Sequence, residues 1–124
     1  MPLSNTSLAG SCALNDEVIN LPDAYNDGRF DKKFDKQTGY RTRSLLMVPI
    51  TSKQTHDVLG CLQCLNKQNI DGQEEGVEFT QADIELVEAF SSIAAVAIVQ
   101  SKLEGAADYG VGMAIKVKAS TRDA

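Results

Sequence analysis

The sequence predicts an α+β domain in which an antiparallel sheet is flanked by helices. Three observations predict it. A nearly continuous apolar run, Ser44–Thr51, is followed after a polar turn by a second strand-like run, Val58–Leu65, and the two make an antiparallel hairpin. A long segment with apolar residues at helical spacing, Gln81 to about Glu104, comes next. No repeat and no long linker interrupts the 124 residues, so a single domain with one core is expected.

The elements follow in order. Residues 1–10 are small and polar and read as a loop or fraying start. Ser11–Leu14 and Glu17–Leu21 read as two short extended pieces around an Asn15-Asp16 turn. Pro22 stops pairing, and Asp23 caps a short helical turn through Tyr25. Asp31–Thr38 forms another short helix, closed by Gly39 in the left-handed conformation. In the first hairpin strand, Leu45, Leu46, Met47, Val48 and Ile50 suit a central position. Pro49 limits pairing there or marks a bulge, because it has no N–H to donate. Lys53–Asp57 is the hairpin turn, and Gln68–Glu78 is a solvated acidic loop.

Thr80 is the expected N-cap of the long helix, with Asp83 three residues on, as in a capping box. Leu86, Phe90, Ile93 and Ala97 form one apolar stripe, which Ile84, Val87, Ala94 and Ile98 widen. At more than about six turns the helix is long for so small a domain. One end then packs on the sheet while the other serves a partner helix, so a homodimer through residues 81–104 is expected. Gly105 ends the helix, and Val111–Ala119 alternates enough for one more strand in the 105–124 tail.

Composition narrows the function. Hydrophobic residues make up 43% and the net charge is −5. An acidic surface argues against nucleic acid or an anionic membrane as the main partner. The most apolar run, Ile93–Val99, is far short of a bilayer span, and no charged-then-apolar leader pattern opens the chain. A cytoplasmic setting is therefore expected. The three cysteines, Cys12, Cys61 and Cys64, fit reduced, buried thiols. Cys61 and Cys64 form a C-x-x-C, but residues three apart on a strand face opposite ways, which disfavours a redox pair or zinc knuckle between them.

Catalysis finds little support. The only histidine, His56, sits in the hairpin turn and reads as a solvated residue, since general-base work needs a cleft and an orienting partner. No Gly-x-Ser-x-Gly elbow and no phosphate-cradling glycine loop is present. Asp71, Glu74 and Glu75 cluster without calcium-loop spacing, so no metal site is expected.

The segment Asn20–Arg43 stands out by its order of residues. Two readings stay open. In one, Asp23, Asp27, Asp31, Asp35 and Thr38 are cap residues that satisfy backbone N–H groups. In the other, they also build a pocket. The start of a short helix near Asp31 would attract an anion such as a cyclic phosphate. Asp35, Thr38 and Thr42 would hydrogen-bond a purine and ribose, and Gln63 on the facing strand would add an amide that both donates and accepts. Arg41 and Arg43 are either phosphate ligands or ordinary solvent-facing cations.

Several motifs carry a family resemblance over residues 7–104. Ser7-Leu8-Ala9-Gly10 looks like a Gly-Ile-Ala-Gly loop, and Asn20-Leu21-Pro22-Asp23-Ala24-Tyr25 looks like Asn-Ile-Pro-Asp-Ala-Tyr. Asp35-Lys36-Gln37-Thr38-Gly39-Tyr40-Arg41-Thr42 looks like Asp-x-x-Thr-Gly-Phe-Arg-Thr, and Val58-Leu59-Gly60 opens the next strand in the same manner. Together they resemble the GAF domains that regulate cyclic-nucleotide phosphodiesterases and some adenylyl cyclases. The resemblance implies a regulatory sensor of cAMP or cGMP with no catalysis or cofactor of its own. It implies ligand contacts at Leu8, Ala9, Asp35, Thr38, Thr42 and Gln63. It also implies a structural signature at Asn66, Lys67, Phe79 and Asp83, with a Lys67–Asp83 salt bridge beneath the site.

A full domain of this family begins with a helix and two strands that precede the segment matched from residue 7, so a partial domain is expected. The tail would then fill part of the sheet, or two chains would exchange elements. The rival function is the same fold used only for dimerisation.

Overall fold

The computed structural model describes residues 7–103 and 114–117, with side chains through residue 101. The expectations for residues 1–6, for the helix stop at Gly105 and for both ends of the Val111–Ala119 strand lie outside the described residues. The elements are α1 (Leu8–Asn15), β1 (Ile19–Leu21), a 3-10 turn (Ala24–Asn26), α2 (Lys33–Thr38), β2 (Leu45–Thr51), β3 (Val58–Leu65), α3 (Gln81–Leu103) and β4 (Ala114–Val117). The sheet order is β1-β2-β3-β4. β1, β2 and β3 pair antiparallel, and β4 lies parallel to β3 with Cys61 opposite Ala114. A strand of the tail thus covers the outer edge of β3, where unpaired backbone groups would otherwise invite another chain.

The apolar run of β2 has a simple cause, because both faces of the strand are covered. Leu46, Val48 and Ile50 point into a core shared with Leu62, Cys64 and α3. Leu45 and Met47 point the other way, into a core with Leu8 and Cys12 of α1, Ile19 and Ala24. The alternation is the period-two geometry of a strand, and a strand buried on both sides has no polar face. β1 reaches only to Met47, so Pro49 lies beyond that pairing. The irregularity in the hairpin falls one step later, between Ile50 and Thr51.

Two expectations are corrected. Ser11–Leu14 is not extended: it belongs to α1, which runs from Leu8 to Asn15. Ser7 caps it by accepting from the Gly10 N–H at 3.0 Å, and Asp16 closes it at φ 49°. Alanine and leucine at helix positions and a serine cap outweigh the small, polar look of the segment.

The second correction concerns α3. Its capping box forms as expected: the Thr80 N–H donates to Asp83 Oδ2 at 2.7 Å, and the Asp83 N–H donates back to Thr80 Oγ1 at 3.3 Å. The stripe on the sheet, however, is Ile84, Val87, Ser91, Ala94, Ala95 and Ile98. Leu86, Phe90, Ile93 and Ala97 face solvent, with Ile93 67% exposed. Both sets have helical spacing. The sheet takes the set with the smaller side chains, because these let the helix lie close to a flat apolar surface already filled by Leu46, Val48 and Leu62. Ser91 is accommodated by donating its hydroxyl to the Pro49 carbonyl at 2.7 Å.

Ile98→Ala should therefore cost about 2–5 kcal/mol of stability, whereas Ile93→Ala should fall within about 0.5 kcal/mol of the parent. Urea unfolding of dilute protein measures both, and equal losses would mean that the helix lies with its other face inward.

Candidate functional site

The chain between β1 and β2 is a flap folded back on itself by short polar contacts. Asp23 accepts from the Tyr25 N–H at 3.1 Å, Asp27 from Arg29 at 2.9 Å and Asp31 from Lys33 at 2.9 Å. Thr38 Oγ1 accepts from the Tyr40 N–H at 3.3 Å, and Gly39, at φ 74°, ends α2. Each proposed cap residue does cap. α2 is six residues long and starts at Lys33, two residues later than the sequence suggests, with no side-chain cap at Lys32.

Asp35 has the most demanding position. It is only 5% exposed. One carboxylate oxygen accepts from the Tyr25 hydroxyl and from the Thr42 N–H, both at 2.8 Å, and the other accepts from the Thr42 hydroxyl at 3.0 Å. A buried carboxylate requires such partners. Asp35 thereby latches α2 to the entry of β2. Arg41 closes the same corner: its guanidinium lies 3.7 Å from the centre of the Tyr25 ring, pairs with Asp23 at 3.2 Å and donates to the Thr42 carbonyl.

Beneath the flap is a cavity of about 350 Å³. Its floor is the sheet, through Leu45, Met47, Leu65 and Gln63. One wall is the first turn of α1, through Ser7, Leu8 and Ala9. The flap supplies Arg29, Phe30, Phe34 and Asp35, with Asp31 at the rim and Thr42 inside. Of the residues singled out in the sequence, Leu8, Ala9, Asp35, Thr42 and Gln63 converge here, although they come from four separate segments. Thr38 does not line it; its hydroxyl donates to the Phe34 carbonyl at 3.0 Å on the exposed side of α2. Arg41 and Arg43 do not line it either.

The cation at the cavity is Arg29, which sequence reasoning missed. Asp27 holds it through two bonds of 3.0 and 2.8 Å, and Glu17 stands 3.6 Å away. These partners keep the Asp27 carboxyl below the usual carboxylate range, the Arg29 side-chain bond contributing most. The alternation of Asp27 and Arg29 two residues apart was the available signal. Gln63 is different: it lines the cavity, and its amide, which can both donate and accept, has no partner among the described residues.

Just past the end of β3, Asn66 and Lys67 bind what lies on either side. Asn66 is fully buried at φ 56°. Its side chain accepts from the Arg43 N–H at 2.5 Å and donates to the Arg41 carbonyl and the Tyr40 hydroxyl at 2.9 and 2.8 Å. Lys67 Nζ lies 2.6 Å from Asp83 Oδ2, with both side chains nearly buried. Burial raises the Asp83 pKa, but the bonds from Lys67 and Thr80 outweigh it and hold the carboxyl below the usual range. Phe79 packs beside them in the core, and its carbonyl accepts from the Asn20 side chain at 3.1 Å.

The profile of the GAF domain matches residues 1–98. The chain belongs to the GAF domain family. Among curated relatives, this GAF domain is 34% identical over 96 residues to a dual 3',5'-cyclic-AMP and -GMP phosphodiesterase 11A of Takifugu rubripes, covering 77% of this chain and 10% of that protein. It is 47% identical over 64 residues to a dual phosphodiesterase 11 of Drosophila melanogaster, covering 52% of this chain and 4% of that one. A cGMP-specific 3',5'-cyclic phosphodiesterase of Drosophila erecta is 31% identical over 96 residues, 77% of this chain and 8% of that protein. The chain therefore spans a tenth or less of these relatives. A solved GAF domain from a phosphoenolpyruvate-protein phosphotransferase of Coxiella burnetii has the same fold, with a TM-score of 0.65 and 21% identity over 81% of this chain and 54% of that one.

Among the described residues, no cluster of three His, Cys, Asp or Glu side chains could hold a metal ion, and no helix is long and apolar enough to cross a membrane.

Lys67→Ala should destabilise this GAF domain by about 3–5 kcal/mol, because it strands a buried carboxylate. The pH dependence has a fixed sign. Since the folded Asp83 pKa lies below its unfolded value, its contribution is complete above the ordinary carboxylate pKa of about 4 and is lost as pH falls through the lower folded value. Urea unfolding at successive pH values should show this acid loss, and Asp83→Asn should flatten it.

Proposed function

We propose that this GAF domain is a regulatory sensor that takes a cyclic nucleotide, cAMP or cGMP, into the cavity under the flap and so controls a linked catalytic domain. The observation that carries the reading is the unpartnered Gln63 amide on an otherwise apolar floor. A purine edge offers both donors and acceptors, and an amide answers both. On the wall, the Leu8 and Ala9 amides stand in the first turn of α1, where backbone N–H groups lack intrahelical partners. Those amides suit the ribose and cyclic phosphate. Arg29 adds little net charge, because Asp27 and Glu17 already neutralise it.

The flap residues act differently in this reading. Asp35 and Thr42 bond each other, so they hold the cavity's shape more than they read the ligand. Thr38 keeps α2 closed from outside. The cavity volume lies at the low end of the range of about 300–1,000 Å³ in which small-molecule sites occur. The relatives' names support a phosphodiesterase as the controlled enzyme. The ligand would then act by favouring one arrangement of the domain over another.

Calorimetric titration with cAMP and with cGMP tests the reading. Saturable binding of one of them is expected, and Gln63→Leu should weaken it about tenfold, the equivalent of one good amide contact of roughly 1.4 kcal/mol. Folded protein that binds neither would overturn it.

A second reading, a dimerisation module, is favoured by one observation. Leu86, Phe90, Ile93 and Val96 leave a bulky apolar stripe exposed along α3. Beside it a groove of about 530 Å³ opens between α3 and the Ser52–Gln54 turn, with Ile93, Val96 and Val99 on its wall. Exposed apolar stripes of this kind mark protein contacts. Sedimentation over a concentration series should show a dimer that Ile93→Lys abolishes without unfolding the monomer; unchanged monomer mass would exclude it.

A further inference from the structure

β3 carries Cys61 and Cys64 on opposite faces. Cys64 is buried in the core under α3, whereas Cys61 packs against the core under α1. Cys12, one turn beyond Ala9 on α1, is a member of that same core. The two side chains share this core, and each shifts the other's ionisation. Cys61 Sγ also lies 3.9 Å from the Ala9 carbonyl oxygen, so helix and strand are in contact at this point. Cys12 is wholly buried and Cys61 is half-buried. One sulfur is thus open to a small oxidant, and the other waits beside it, shielded.

We propose that Cys12 and Cys61 are an oxidation-sensitive thiol pair, which hydrogen peroxide converts to an intramolecular disulfide joining α1 to β3. The Cys61 thiolate attacks one peroxide oxygen. An S–O bond forms, the O–O bond breaks, and the leaving hydroxide becomes water with the proton that Cys61 gave up. The Cys12 sulfur then attacks the Cys61 sulfenic acid. The S–S bond forms, the S–O bond breaks, and hydroxide leaves as water with the Cys12 proton. Both sulfurs are oxidised, both peroxide oxygens are reduced, and two waters result.

The roles of the two sulfurs follow from their surroundings. The interaction with Cys12 lowers the Cys61 pKa against the opposing effect of burial, and the same interaction together with burial raises that of Cys12. Cys61 therefore ionises first and attacks first, as a thiolate must. Burial also raises Cys64, which leaves it out of the chemistry. The bridge would have a local consequence. Leu8 and Ala9 lie within one turn of Cys12, and Gln63 lies two residues from Cys61 on the same face of β3. The disulfide would therefore fix the wall of the cavity to its floor. The proposal rests on the placement and surroundings of the two thiols and stands whether or not the cavity takes a nucleotide.

The test treats the reduced chain with hydrogen peroxide, blocks remaining thiols with iodoacetamide and measures intact mass. The expected product is a monomer that has lost two hydrogens and carries one alkylated cysteine, reversible with dithiothreitol. Lys53 and Lys67 leave both strand cysteines on one tryptic peptide, so Cys64→Ser and Cys61→Ser separate them. The link to the Cys12 peptide should persist in Cys64→Ser and vanish in Cys61→Ser. Three thiols still alkylated, unbridged sulfinic acid at Cys61, disulfides between chains, or a link that survives Cys61→Ser would each overturn the proposal.

Discussion

The arrangement depends on two consecutive residues at the end of β3. Asn66 and Lys67 leave the strand in a left-handed turn and bind in opposite directions. Asn66 ties down the return of the flap through Tyr40, Arg41 and Arg43. Lys67 ties down the first turn of α3 through Asp83, and its own N–H donates to the Ser44 hydroxyl at 2.9 Å. Flap, sheet and helix meet at one peptide. Without the Asn66 bonds, the backbone of 41–43 would be buried with polar groups unsatisfied. Without Lys67, Asp83 would hold a buried charge with nothing opposite. The ion pair need not be the most stabilising filling for that space, since well-packed apolar groups often equal a buried pair. It ties the first turn of α3 to the segment that follows β3.

The cavity follows from the same constraint. The flap is pinned at its end by Asn66 and in its middle by Asp35, so it cannot settle onto the sheet. The first turn of α1 closes a third side. Most polar groups around the cavity are satisfied within the protein. Asp35 accepts three hydrogen bonds, and Arg29 is neutralised by Asp27 and Glu17. A site whose framework is internally satisfied is preorganised, because those groups lose no hydrogen bonds to water when a ligand enters. In the proposed reading, recognition would fall to the Gln63 amide and the first-turn amides of Leu8 and Ala9.

The sequence shows the hairpin, the α3 cap and the flap caps because each depends on neighbours close in the chain. Thr80 and Asp83 are three residues apart, and Val58–Leu65 has the same bounds as β3. Less local features do not show. α1 begins among small residues whose helix is fixed by packing Leu8 and Cys12 on Leu45 and Met47, contacts that sequence spacing does not carry. Which side of α3 faces inward does not show either, because two stripes share one period, and the choice between them rests on the flatness of the sheet. Five of the six expected ligand residues reach one cavity, since their motifs come with the fold. Thr38 falls outside because it follows the exposed side of α2. The closeness of Cys12 and Cys61 escapes notice for the opposite reason, as the two lie in different elements, while Arg29 is passed over although Asp27, its main partner, is two residues away.

α3 has two fixed points on the rest of the domain. Asp83 holds its first turn through Lys67, and Ser91 holds it about 12 Å further along by its bond to Pro49. Between and beyond them the contact is made by small residues, which tolerate slight rotation better than interlocked large ones. Two modes of response to a flap movement are therefore conceivable: release of α3, or rotation about these anchors. Energetics separates them. Release would strand a buried ammonium and carboxylate, at about 3–5 kcal/mol. Coupling between sites in a protein is typically about 1–3 kcal/mol. A ligand in the cavity could not meet the larger figure by its preference for one state, whereas a rotation that keeps both anchors lies within it. Such a rotation would also swing the outer stripe of Phe90, Ile93 and Val96, the part of α3 that faces away from the sheet.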